Sequence, residues 1–120
     1  MTSPVSLRLP ETTAAKVRRL AAVERRSFAE MVKVLTEEGV AMREFPGIHF
    51  VHGPTGRRAR FRDGPDVWEV LEPYVLAGRD RAALRASYPD LDEAVLRTAL
   101  RYYESHAAEI EARIALNQDA

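Results

Sequence analysis

Four arginines crowd the stretch Arg57, Arg58, Arg60 and Arg62. The guanidinium is planar, always charged and able to bond in a bidentate way, so such a run suits phosphates or carboxylates. If the stretch is a strand, Arg58, Arg60 and Arg62 share one face while Ala59 and Phe61 turn to a core. A solvated basic edge that discourages pairing between sheets would need the same residues. A second set lies near the amino terminus, where Ser6 and Arg8 alternate with Val5, Leu7 and Leu9. An arginine and a serine on the polar face of a ribbon can read base edges in a DNA major groove, arginine preferring guanine.

Catalytic chemistry finds little footing. His49 and His52 stand three apart with Asp63 and Asp66 nearby, which sketches a metal site. On a strand, however, these two rings face opposite sides, and no helical zinc spacing is present. His106 and Glu109 share a helix face as a surface pair. With no cysteine in the chain, thiolate catalysis, thiolate metal sites and disulfides are excluded. No glycine-rich phosphate loop or nucleophile elbow occurs. The expectation is a non-enzyme with no catalytic residue, metal or cofactor.

The elements that must carry these residues follow from periodicity. Val5–Leu9 alternates with period two, the pattern of a half-buried strand, and Pro10 ends it. A helix runs from Glu11 to about Glu24, with Val17, Leu20 and Ala21 at helical spacing. Arg25-Arg26 leads into Ser27-Phe28-Ala29-Glu30, a capping-box pattern in which Ser27 caps and Glu30 reaches back. The next helix buries Phe28, Met31, Val32 and Leu35. Gly39 offers a break, with Glu44 as the further limit.

Pro46-Gly47 divides the chain into domains 1–45 and 46–120. Ile48–Val51 and Arg57–Arg62 form a hairpin around Gly53–Gly56. Asp66 opens a helix with Val67, Val70, Leu71, Tyr74 and Val75 on one face. Pro73 kinks that helix by removing a donor and crowding the carbonyl of Glu69. Gly78 stops it. Asp80 caps a short helix to Ser87. Asp92 caps a longer one that buries Val95, Leu96, Ala99, Leu100 and Tyr103, with a break near Ser105-His106. A last helix uses Ala107, Ile110 and Ile114, and residues 117–120 fray. Trp68 falls beside its apolar stripe, as an interface residue would, and the Tyr102-Tyr103 pair packs or meets a partner. The fold class is mainly α with short β elements.

The 120 residues are 46% hydrophobic and 30% charged, the balance of an ordinary globular chain. No apolar run approaches the ~20 residues of a membrane span, and Met1–Pro4 has no signal-peptide character. A cytoplasmic protein without membrane contact is expected. Net charge is zero, yet residues 1–65 carry 12 basic and 7 acidic side chains and residues 66–120 carry 6 and 11. The two parts are therefore +5 and −5, which suits a polyanion at one and something else at the other.

A lone strand leaves its backbone groups unpaired, and no neighbour precedes residue 48. Pairing with the same strand of a second chain solves this. Val5, Leu7 and Leu9 of both copies would then cover the helices, and Ser6 and Arg8 would project outward. The ordered series Val5–Glu11, helix, Arg26–Val32 resembles the ribbon-helix-helix repressors, the group of MetJ and Arc, over about residues 3–44. The resemblance implies an intertwined dimer on double-stranded operator DNA. It also implies base reading by Ser6 and Arg8 and phosphate clamping by Ser27 and Phe28, to which Arg25 and Arg26 add contacts. That family usually carries a glycine in the turn between its helices, where this chain has Glu24-Arg25-Arg26.

Two capped helices joined by Tyr88-Pro89-Asp90-Leu91 have the layout of a helix-turn-helix. The second would present Glu93, Arg97, Thr98, Arg101 and Glu104, either as a recognition helix or as one of a pair that packs and dimerises. Pro46–Val51, Gly53–Ala59, Asp66–Val70 and Tyr88–Leu91 resemble the helix-turn-helix modules of domain-of-unknown-function family 433, over about residues 46–116. Joined to the first half, this looks like a VapB-type antitoxin. The resemblance implies a PIN-like ribonuclease toxin as partner, autorepression of the operon, and a homodimer or a tetramer of paired dimers. The hairpin arginines would then meet DNA, the metal-binding carboxylates of the toxin, or only solvent. A ribbon-helix-helix regulator without a toxin and an interaction adaptor that does not bind DNA are the alternatives.

Overall fold

A computed structural model of the chain describes residues 4–119. Met1–Ser3 and Ala120, parts of the expected leaderless start and frayed tail, lie outside the described residues. The fold is mainly helical with one two-stranded antiparallel hairpin. It divides into two compact units, one ending at Gly39 and the other beginning at Val40. The boundary thus falls inside a helix rather than at Pro46-Gly47. The reason is that Ala41 and Phe45 belong to the core of the second unit.

In the first unit, α1 (Glu11–Glu24) follows Pro10 as its sequence directs. Its end is a Schellman motif: Arg26 N–H donates to Ala21 O at 2.9 Å and Arg25 N–H to Ala22 O at 3.3 Å. Arg25 supplies the left-handed residue, at φ 56° and ψ 45°. A side chain there costs about 1–2 kcal/mol that a glycine would not. The next helix, α2 (Phe28–Glu44), runs through Gly39 without a break. Ser27 Oγ accepts from Glu30 N–H at 3.0 Å. The Glu30 carboxylate lies 3.7 Å from Arg26 instead of completing the expected box.

The buried core of this unit is small. It consists of Val17, Ala21 and Met31, with Val32, Val34 and Leu35 packed on it, and Ala14 is the one further buried residue among those described. Leu20 and Phe28, both expected inside, are 41% and 37% exposed. Among the described residues Val5–Leu9 has no strand partner and is not a strand.

The second unit starts with the last turn of α2 and continues into β1 (Ile48–Gly53) and β2 (Gly56–Phe61). The register pairs Ile48 with Phe61, Phe50 with Ala59 and Gly53 with Gly56. This leaves Pro54-Thr55 as a two-residue turn, closed by Gly56 at φ +92°, where a side chain would be strained. Ile48, Ala59 and Phe61 are buried, as the alternation requires. Three helices follow: α3 (Val67–Leu76), α4 (Arg81–Ser87) and α5 (Glu93–Gln118). Asp80 and Asp92 cap α4 and α5 through Ala82 N–H and Ala94 N–H.

Their apolar faces close one core around Val67, Val70, Leu71, Leu84, Leu96, Ala99 and Ile110. Tyr102 is fully buried as well as Tyr103. The former meets Phe45 edge-on at 5.2 Å and the latter meets Tyr74 at 5.7 Å, so α5 is covered on both of these faces. The tyrosine pair therefore packs. His106, at φ −132° and ψ 28°, breaks α5 where expected. Its ring stacks on Tyr102 with centroids 4.0 Å apart. The tail does not fray at Asn117 and Gln118, because both side-chain amides donate to Glu72 Oε2, at 2.8 and 3.3 Å. Among the described residues no helix is long and apolar enough to cross a membrane.

Candidate functional site

Near the amino terminus the residues expected to read DNA, Ser6 and Arg8, are exposed. Their apolar neighbours Val5 and Leu7 are also exposed, at 81% and 61%. Both border an open groove of about 810 Å3 whose walls include Leu9, Phe28 and Val32. Arg18 caps that wall from 5.3 Å above the Phe28 ring. At the start of α2, Ser27 is a helix cap. Arg26 sits between Glu24 at 3.4 Å and Glu30 at 3.7 Å, which draws it away from a phosphate. Arg25 is exposed.

The hairpin arginines do not act as one solvent-facing row. Asp66, only 5% exposed, gathers two of them. Arg58 Nε donates to Asp66 Oδ2 at 2.6 Å, and Trp68 Nε1 donates to the same oxygen at 3.1 Å. Arg60 Nε lies 4.0 Å from Asp66 Oδ1 and donates to Gly64 O at 3.0 Å. Asp66 N–H in turn donates to Glu69 Oε1 at 3.1 Å, within the capping box that starts α3. Burying a carboxylate is costly unless donors and a cation compensate it. Arg58 and Arg60 are thus structural ties of the hairpin to α3. Arg57 is half-buried, and its carbonyl accepts from Arg113 Nη2 at 3.0 Å. Arg62 is exposed; its backbone N–H donates to Gly47 O at 3.1 Å, while its guanidinium has no partner among the described residues. Trp68, expected at an interface, is half-buried and packed on its own core.

The turn between α4 and α5 is organised by a residue that periodicity did not single out. Arg85 Nη1 donates to the carbonyls of Tyr88, Pro89 and Leu91 at 3.3, 3.3 and 2.7 Å, and Nη2 to Glu93 at 2.7 Å. Two outward residues of the expected recognition helix are thereby occupied: Glu93 by Arg85, and Arg101 by the Phe45 ring at 5.2 Å. Thr98 bonds back to Ala94 O at 2.9 Å. Arg97 and Glu104 remain exposed.

Pro73 sits inside α3 and lacks the N–H that would meet Glu69 O. The Tyr88 hydroxyl donates to that carbonyl at 3.1 Å. Burial first, then the charges of Glu69 and Glu72, push the Tyr88 phenol above its usual 10.0. His49 lies opposite Arg60 and His52 opposite Arg57. His49 Nδ1 is buried without a hydrogen-bond partner among the described residues. Within those residues no three of His, Asp and Glu come together as a metal site would require. The signal for Asp66 was present in the sequence as Asp-Val-Trp-Glu, a cap followed three residues on by glutamate. Nothing local marked Arg85, and Tyr88 was read only as part of the turn, not as the donor to Glu69 O. The chain matches no family model, no curated protein and no solved structure.

Proposed function

We propose that the chain is a dimeric DNA-binding antitoxin, in which the amino-terminal units pair as a ribbon-helix-helix and the carboxy-terminal unit holds a PIN-like ribonuclease toxin. One observation carries the DNA half. Among the described residues, the unit ending at Gly39 buries only Ala14, Val17, Ala21 and Met31 while leaving Val5, Leu7, Leu20 and Phe28 exposed. A domain of about 40 residues with so little core needs an oligomer, a metal or disulfides to fold, and the chain has no cysteine. A second copy supplies what is missing. Val5–Leu9 pairs with its symmetry mate, the apolar side chains cover both grooves, and Ser6 and Arg8 face a major groove. The basic balance of residues 1–65 favours the same polyanion.

The toxin half rests on the resemblance of residues 46–116 and on the acidic balance of residues 66–120, which complements the basic surface of a ribonuclease. With Arg58 and Arg60 tied to Asp66, Arg62 is the hairpin arginine offered to a toxin carboxylate. The helix-turn-helix layout of α4 and α5 serves packing in this reading, since Glu93 and Arg101 are occupied.

Sedimentation of the full chain at micromolar concentration should give a dimer, and a folded monomer would refute the DNA half. Arg8→Ala should lose about 1–3 kcal/mol on the chain's own upstream DNA and little on random DNA. Equal loss on both would make Arg8 a phosphate contact. Coexpression with the adjacent reading frame should copurify a small nuclease, and Arg62→Glu should weaken that complex while DNA binding persists.

A further inference from the structure

The carboxy-terminal unit holds a second feature that neither DNA nor toxin binding uses. A pocket of about 330 Å3 opens at the tip of the hairpin, lined by Thr55, Arg58, Asp66, Trp68, Arg113 and Leu116 among others. Two guanidinium groups and one carboxylate thus line it. Arg58 spends only Nε on Asp66, and its two terminal amino groups have no hydrogen-bond partner among the described residues. Arg113 is half-buried, donates through Nη2 to the carbonyl of Arg57, and has no carboxylate partner among those residues. Two half-buried cations in a pocket whose one carboxylate is bonded to Arg58 and not to Arg113 leave a positive surplus with donors to spare.

The backbone leaves space for this arrangement. A Cβ on Gly53 would stand 2.7 Å from Arg58 Nη1, inside the contact limit, so a side chain there would displace the guanidinium. The rest of the lining is apolar: the Trp68 indole on one side and Leu116, 64% exposed, on the other. The volume exceeds that of a bare phosphate or acetate and lies at the lower end for organic ligands.

We propose that this pocket binds a small organic anion, a carboxylate or phosphate monoester borne on a planar ring. The head group bonds the free amino groups of Arg58 and Arg113, and the ring lies against Trp68 and Leu116. The proposal is independent of the DNA and toxin readings.

Trp68 is the single tryptophan of the chain, so its fluorescence reports the pocket directly. The full-length chain is titrated in parallel with phenyl phosphate, benzoate and inorganic phosphate. A saturable change with at least one ring-bearing anion, binding at least about tenfold tighter than inorganic phosphate, is expected. The tighter of the two ring-bearing anions names the head group. Arg113→Gln should weaken binding about tenfold or more in a chain that still folds, and Arg113→Lys should weaken it less. A linear, unsaturated response to all three anions would overturn the proposal, and so would equal affinity for inorganic phosphate and both ring-bearing anions. Undiminished binding to a folded Arg113→Gln chain would overturn it too.

Discussion

In the carboxy-terminal unit the buried Asp66 has an arginine, an indole N–H and a helix start gathered around it, and the apolar faces of three helices meet over one core. In the amino-terminal unit only four side chains among the described residues are buried, two of them alanines, and an alternating apolar segment stands exposed beside a groove. Both units begin from comparable material, capped amphipathic helices with a short extended segment. What separates them is whether each polar and apolar group finds its complement within the same chain. The first kind of unit folds on its own contacts. The second leaves exposed an apolar surface of the kind that association with a partner would cover.

The largest test of this contrast falls on Asp66. Asp66→Ala strips the carboxylate from Arg58, Trp68 and the α3 start, and should cost about 3–5 kcal/mol. Urea unfolding followed by Trp68 fluorescence measures it, and an unchanged midpoint would mean the carboxylate is dispensable to the unit. Next in size is Leu7→Asp. If Leu7 of each copy is buried in a dimer, the change should remove about 3 kcal/mol from the assembly. Melting of the wild-type chain should also shift with protein concentration, and that dependence should vanish in the variant. Concentration-independent melting in both chains would make the amino-terminal unit self-sufficient and erase the contrast.

A smaller effect attends the carbonyl that Pro73 leaves without a donor. Tyr88→Phe should cost about 1 kcal/mol, and less in a Pro73→Ala background, where the helix supplies its own N–H; equal costs in the two backgrounds would uncouple the residues. The same phenol sets an alkaline limit. Its folded pKa lies above the unfolded one, so its contribution is whole below pH 10.0 and is lost as pH rises through the folded value. Tyr88→Phe should flatten that alkaline loss. The smallest change is a gain: Arg25→Gly should stabilise the α1–α2 turn by about 1 kcal/mol, seen as a higher melting temperature. A loss there would show that the Arg25 side chain contributes more than its backbone strain costs.

Much of the local architecture is legible in the residues. Pro10 and the Ala-rich run give α1 its bounds, and alternation sets Ala59 and Phe61 inward. Asp66, Asp80 and Asp92 start their helices as short polar residues ahead of apolar periodicity do. The break at His106 follows a Ser-His pair in an otherwise regular pattern. The sites were less legible. Arg58 and Arg60 read as a face for an external anion, because period two tells which side a residue takes but not what lies beyond it. Leu20 and Phe28 carry correct helical spacing and still stand exposed, since spacing says which residues share a face and not whether a neighbour covers it. Tyr102 is buried because α5 is covered on two faces, which one helical stripe cannot announce.

Helix starts, the hairpin with its turn residues, the zero-cysteine chemistry and the charge division are legible from the residues themselves, so the sequence by itself determines them. Which cation answers Asp66, which hydroxyl answers the carbonyl at Pro73 and which carbonyls Arg85 gathers were decided by the tertiary structure alone. Those partners are chosen when packing brings separate elements together. A buried charge or an orphaned backbone group then takes the nearest donor the fold provides, wherever in the chain it began.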